Sequence, residues 1–345
     1  MTTRLTIIRP DDWHLHLRDN EVLAGTVPAT AKVFGRAIIM PNLTPPVVNL
    51  AQAQAYRQRI LSHVPEGHTF EPLMVLYLTD NTRPEDIADA AASGIVFGAK
   101  LYPAGATTNS DSGVSDPSNI FHLYEALEKH HIPLLLHGEI TDKAVDIFDR
   151  EKYFIDRHLG AIRKQFPALK IVFEHVTTKE GVEFVKDNGK LTAATVTPQH
   201  LMLNRNDLLV GGVRPHHYCL PILKRREHQE AIQQAVLSGH PQFFLGTDSA
   251  PHPRNAKEAA CGCAGCYSAP AAMPLYAHFF EQQGALDKLE DFVSRFGPAF
   301  YGLPENNSTL TLVKEDWTIP TSQEIAGVEF IPWQGGETIR WRLAD

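Results

Sequence analysis

Histidine is over-represented in this chain, with 17 His against 5 Met and 4 Trp in 345 residues. Imidazole is the commonest metal ligand and the usual proton carrier near neutral pH, so the positions of these rings matter first. In Trp13-His14-Leu15-His16-Leu17-Arg18, side-chain alternation puts His14, His16 and Arg18 on one face if the segment is extended. A lone His-x-His says little, since at this composition it arises roughly 0.8 times by chance, from 343 × (17/345)². Its weight comes from other residues that each follow an apolar run: Asn42 after Met40-Pro41, Lys100 in Ala99-Lys100-Leu101-Tyr102, His137 in Leu136-His137-Gly138-Glu139, His175 in Phe173-Glu174-His175, and Asp248 in Gly246-Thr247-Asp248-Ser249-Ala250-Pro251-His252. Singly, each has an ordinary structural explanation: a polar strand residue, a surface lysine, a hydrogen-bonded core histidine, a capping aspartate. Jointly, those explanations require five strands to place a ligand-capable group at the same end by accident. Four neutral imidazoles and a carboxylate suit zinc or another borderline divalent ion, with a coordination position left for water. Two cations would repel an ammonium at Lys100. That lysine therefore needs a different state.

The elements that position these groups are eight short apolar runs: Leu5–Ile8, Ala37–Met40, Leu73–Leu78, Ile95–Leu101, Ile132–Leu136, Lys170–Phe173, Leu191–Val196 and Gln242–Leu245. Between them, Leu50–Leu61, Pro84–Ala92, Pro117–His130, Thr141–Phe166, Thr178–Asn188 and Arg225–Ser238 carry apolar residues at three- and four-residue spacing, the helical period. Eight strands alternating with helices predict parallel βα units closed into a (β/α)8 TIM barrel, whose active site lies at the C-terminal strand ends. An open doubly wound sheet would want a Gly-rich phosphate turn after its first strand, and none is present. Thr309–Val313, Val328–Ile331 and Thr338–Arg342 read as strands of a C-terminal extension over about 305–345, packed on a single domain spanning 1–345. Two long polar loops, Pro103–Ser118 and the segment after the eighth strand, are of the kind that forms lids.

Composition narrows the class further. The chain is 43% hydrophobic and 21% charged with a formal net charge of -8 and no basic stripe, which argues against a nucleic-acid partner. No apolar run is long enough to span a bilayer, and Met1–Arg9 lacks a cleavage-site pattern, so a cytoplasmic protein without a membrane partner is expected. Four cysteines are too few for a disulfide scaffold.

On Pro10–Asp19, Met40-Pro41-Asn42, Ala99–Pro103, His137-Gly138-Glu139, Phe173-Glu174-His175, Gly212–His216 and Leu245–His252, nearly the whole chain resembles the dihydroorotases of the shorter bacterial type, within the amidohydrolase superfamily. The resemblance implies reversible cyclisation of N-carbamoyl-L-aspartate to L-dihydroorotate in pyrimidine biosynthesis, at two zinc ions. It implies that Lys100 is carboxylated by carbon dioxide and that its carbamate bridges both metals together with a hydroxide. His14, His16 and Asp248 would complete one metal site, His137 and His175 the other. Asp248 would also carry the proton between the attacking water and the ring nitrogen. Arg18, Asn42 and His252 would hold the substrate carboxylate, main-chain groups of Leu220 and Ala264 would pair with the ring amide, and His137 would also face substrate. Thr107 and Thr108 would be lid residues. A homodimer is the implied assembly.

Two other readings compete. Cys261, Cys263 and Cys266 with Cys219 could supply four thiolates to a structural zinc, although the x1 and x2 spacings match common zinc frameworks poorly. A dihydropyrimidinase or hydantoinase would share the metal ligands but act on rings without a carboxylate, and Arg18 is the residue that discriminates.

Overall fold

The protein is described by a computed structural model covering residues 3–344; Met1, Thr2 and Asp345, which belong to the expected 1–345 span, lie outside the described residues. The chain enters on β1 (Arg4–Ile8) and then forms eight parallel strands: β2 (Asp12–Leu15), β3 (Arg36–Ile39), β4 (Glu71–Tyr77), β5 (Val96–Leu101), β6 (Leu134–Leu136), β7 (Ile171–Phe173), β8 (Thr192–Val196) and β9 (Phe243–Leu245). They neighbour one another in chain order from β2 to β9. The ring is drawn shut where Asp248 N donates to His14 O (2.9 Å) and His16 N to Ser249 O (3.1 Å). This is a (β/α)8 TIM barrel, and three expected metal ligands, His14, His16 and Asp248, sit at its closing seam.

The first strand corrects the sequence expectation. Leu5–Ile8 is not a barrel strand: β1 pairs antiparallel with β10 (Thr309–Thr318), Arg4 opposite Val313 and Ile8 opposite Thr309, and β10 pairs in turn with β13 (Thr338–Leu343). Most of β1 is partly exposed, which suits a small antiparallel sheet and not a barrel strand covered on both faces. The true first strand, Asp12-Trp13-His14-Leu15, is buried throughout but half polar, so it gives no apolar run. Its Asp12 carboxylate accepts from Thr247 N (2.9 Å), Thr247 Oγ1 (2.5 Å) and His14 N (3.2 Å), replacing the water it loses. The C-terminal strands thus share a sheet with the N-terminus, while β11 (Gln323–Ile325) and β12 (Val328–Phe330) form a hairpin.

Helix ends follow local chemistry. Leu50–Leu61 starts where the Asn49 side chain accepts from Gln52 N, and Pro84–Ala92 has proline in its first turn and a capping box closed by Asp86. In Thr141–Phe166 only Arg150–Gln165 is helical, with a π turn at Ile155–Leu159. The periodicity also passes over the helices Leu23–Ala31, which contains Pro28, and Ala272–Gln282.

Inside the barrel, Ile38, Leu73, Val75, Leu135, Val172, Ala193 and Phe244 pack on Trp13, which stacks on Tyr301 at 4.5 Å between ring centroids. Their neighbours Ile39, Met74, Leu76, Leu134, Leu136, Ile171, Phe173, Phe243 and Leu245 face the helices. This alternation sets the position of the site. Counting on by twos toward the C-terminal ends, Met40 leads to Asn42, Gly98 to Lys100 and Tyr102, Leu135 to His137, Val172 to Glu174, and Phe244 through Gly246 to Asp248. The face that fills the barrel below supplies the polar groups above.

Candidate metal centre

His14, His16 and Asp248 converge at the seam, and among the described residues they form a trio whose ligand atoms all lie within 4.8 Å of one another. His14 Nε2 and His16 Nε2 are 3.4 Å apart, and Asp248 Oδ1 lies 3.3 Å from the first and 3.1 Å from the second. His14 Nδ1 donates to Glu174 Oε2 at 2.7 Å, so its proton resides there and the Nε2 lone pair is turned on the trio. Two imidazole lone pairs and a carboxylate facing one another, with all three residues buried, repel unless a cation or a proton lies between them. A proton is most easily held by His14: burial pushes its imidazole down, but Glu174 and Asp248 together outweigh burial and raise it, whereas burial takes His16 down to about 4. Burial alone would raise the Asp248 carboxyl, yet hydrogen bonds from His14 and His16 hold it well below its ordinary range.

The second half of the site adjoins the first. The His175 ring centroid lies 4.9 Å from that of His14 and 4.8 Å from that of His137. By strand alternation Glu174 faces inward and His175 should face out, but His175 has φ 41°, a left-handed backbone that turns its ring to the site. Asp248, at φ 44°, is held in the same uncommon region. His137 Nε2 donates to Glu139 Oε2 at 2.9 Å, and Glu139 Oε1 lies 3.7 Å from Lys224 Nζ. Each half therefore has a histidine backed by a buried glutamate. The Lys100 side chain is fully buried, and its Nζ finds no hydrogen-bond partner among the described residues, nor does His175 Nδ1. Burial lowers the Lys100 ammonium to about 8, against the opposing pull of Glu174 and Asp248. Burial, then Lys100 and the neighbouring imidazoles, drives His175 well below its usual range, which leaves it a neutral ligand. The buried trio of His14, His16 and Asp248, with the unpartnered His175 Nδ1 beside it, fits the binding of a metal ion.

Above lies a small cavity that, with the loops seated as they are, has space for little more than a water molecule. His14, His16, Arg18, Asn42, Tyr102, Thr107, Thr108, His137, His175, Leu220, Asp248 and Ala264 line it; Lys100 lies beneath its wall and His252 behind Arg18. Arg18, at φ 60°, donates from Nε to Pro251 O (3.0 Å) and from Nη2 to His252 Nε2 (2.8 Å), and its carbonyl accepts from the Tyr56 hydroxyl. Burial and then Arg18 push His252 down to about 2, so it is a neutral acceptor that aims the guanidinium. The loop expected to be a lid is seated over the cavity: Asn42 Nδ2 donates to Thr108 O, Asn109 Nδ2 to Asn42 O (both 3.0 Å), and Thr108 Oγ1 to Ala264 O (3.4 Å).

The four cysteines are unpaired thiols, with Cys219 and Cys266 buried and Cys261 exposed, and no thiol group converges as a metal cluster among the described residues. Sequence reasoning passed over Glu174 and Glu139 as supports. The signal for Glu174 was its place two residues after the barrel-filling Val172. Glu174→Gln keeps the shape but loses the charge that holds His14. Zinc affinity is expected to fall about 10- to 100-fold, the usual loss for an outer carboxylate, as measured by competition with a chelator; unchanged affinity would refute the role.

Ligand-capable side chains gather at the C-terminal ends of a β/α barrel, and residues 6–316 match the amidohydrolase family. The chain is 68% identical over 343 residues to a dihydroorotase of Alcanivorax borkumensis, covering 99% of this chain and 100% of that one. A dihydroorotase structure from Campylobacter jejuni superposes with a TM-score of 0.91 at 37% identity, covering 100% of this chain and 99% of its own. A dihydroorotase from Saccharomyces cerevisiae, in complex with 5-fluoroorotic acid, does so with a TM-score of 0.91 at 32% identity, covering 99% of each. The chain belongs to the dihydroorotases of the amidohydrolase family. It is a cyclic amide hydrolase whose reaction is the reversible closure of N-carbamoyl-L-aspartate to L-dihydroorotate in pyrimidine biosynthesis. No helix among the described residues is long and apolar enough to cross a membrane.

Proposed function

We propose that the reaction takes place in the cavity over Lys100, with two zinc ions held by His14, His16, His137, His175 and Asp248 and bridged by a carbamate on Lys100. The observation that carries this reading is the buried Lys100 Nζ, without a hydrogen-bond partner among the described residues, set near the unpartnered His175 Nδ1 and beside Glu174 and Asp248. When bound, such a metal pair acidifies water and polarises the ring carbonyl. The chain's own residues do the rest. Arg18 grips the substrate carboxylate, with Asn42 beside it and His252 fixing the fork. Main-chain groups of Leu220 and Ala264 meet the ring amide. In ring opening, water oxygen bonds to the ring carbonyl carbon, the carbon–nitrogen bond breaks, and Asp248 moves the proton from that oxygen to the departing nitrogen. Ring closure is the reverse. Thr107 and Thr108 close the cavity against bulk water. Family likeness supports a cytoplasmic homodimer.

The test couples metal analysis to a cyclisation assay. Two zinc ions per chain are expected, activity should vanish on chelation, and zinc with bicarbonate should restore it. Full activity in a zinc-free chain would overturn the proposal.

A further inference from the structure

Lys257 ends the short helix Arg254–Lys257 and is almost wholly buried, yet no carboxylate among the described residues lies within ion-pair distance of its ammonium. Its counterparts are three carbonyl oxygens: Tyr218 O at 2.8 Å, Cys263 O at 2.7 Å and Gly265 O at 2.8 Å. An ammonium has three protons, and each is taken. A buried cation balanced by peptide dipoles and the Tyr218 ring, 5.8 Å away at its centroid, with no carboxylate beside it, is costly to form. These carbonyls belong to two chain segments, one ending two residues before Leu220 and the other flanking Ala264 on both sides.

The second segment has no helix or strand to hold its shape. Gly262 has φ 45° and Gly265 φ 149°, and a Cβ at Gly265 would lie 2.5 Å from Ala250 O, so the loop must pass close by on glycine alone. Around Lys257 the carbonyls of Cys263 and Gly265 turn to the lysine, while that of Ala264 turns the other way, to within 3.4 Å of Thr108 Oγ1 on the lid. Gly265 N also donates to Tyr218 O at 2.9 Å, joining the two segments under the same lysine.

We propose that Lys257 is a positioning residue for substrate, acting as a cationic clamp that sets the main-chain groups of Leu220 and Ala264 against the ring amide. This rests on the assignment of those main-chain groups to the amide. It also gives the cysteine-rich loop its purpose: the backbone of the loop is what the site uses, and the cation that organises it is an ammonium.

The test compares Lys257→Met and Lys257→Arg with the unaltered chain, reading zinc content, KM and kcat for L-dihydroorotate, and inhibition by orotate, which has the ring amide, and by succinate, which has carboxylates only. Arginine keeps the charge but cannot place three N–H groups where the ammonium does. Zinc content and succinate inhibition should stay unchanged, while KM and the orotate inhibition constant rise about 10-fold, as for a lost hydrogen bond of about 1.4 kcal/mol, and kcat moves less. If Lys257→Met does not fold, Lys257→Arg decides. Unchanged orotate inhibition, or equal weakening of orotate and succinate, would overturn the clamp. An unaltered chain that binds succinate but not orotate would instead overturn the amide assignment beneath it.

Discussion

Lys100→Ala is expected to lose metal and activity together. The lysine is fully buried, its Nζ has no hydrogen-bond partner among the described residues, and His14, His137, His175 and Asp248 are close enough to interact with its charge. As an ammonium it would repel the cations those ligands gather, and as a free amine it would waste a buried donor. The proposed carboxylation would convert it to an anion able to hold metal. Alanine leaves the imidazoles mutually repulsive, and zinc should fall to one ion per chain or fewer. kcat/KM should drop by at least about 10³-fold, as when one member of a catalytic unit is removed. Metal analysis and the ring-opening assay on the same preparation check this. Retention of two zinc ions would refute the bridging carbamate whatever happened to the rate.

Arg18→Ala should have the opposite signature, with zinc retained and substrate use impaired. The guanidinium is pinned by Pro251 O and His252 Nε2, which orients it before substrate arrives. Truncating one partner of a buried charge pair costs about 2–5 kcal/mol, or about 30- to 5000-fold in kcat/KM for N-carbamoyl-L-aspartate. Arg18→Lys should recover only part of that, because an ammonium cannot make the two parallel bonds of the fork. Unchanged kinetics with Arg18→Ala would remove the ground for carboxylate recognition and return the choice to rings that lack one.

The barrel and its end-of-strand polar residues were legible because strands buried on both faces leave continuous apolar runs, and the residues after those runs lie at one end of a parallel barrel. β3 to β9 were found this way. β2 was not, since its Asp12 and His14 break the apolar run and find main partners in Thr247 and Glu174, distant in sequence. The apolar Leu5–Ile8 took its place in the reading, although that segment pairs with Thr309–Val313 across almost the whole chain length. Leu23–Ala31 escaped because Gly25 and Pro28 disrupt helical propensity; Gly25 is needed there because a Cβ would strike Ile325.

By itself the sequence pointed to the fold class and to the candidate ligands His14, His16, Lys100, His137, His175 and Asp248, which follow from residue type and from position after the apolar runs, both local properties. Arg18 as the group for a carboxylate came from the resemblance to the dihydroorotases. Only the tertiary structure decided that His175 reaches the site through a left-handed backbone, that Glu174 and Glu139 fix the protons of His14 and His137, and that Lys257 gathers three carbonyls beneath the cysteine loop. Each of these depends on groups far apart in the chain, or on a backbone angle that no side chain announces, and long-range contacts exist only once the barrel has closed.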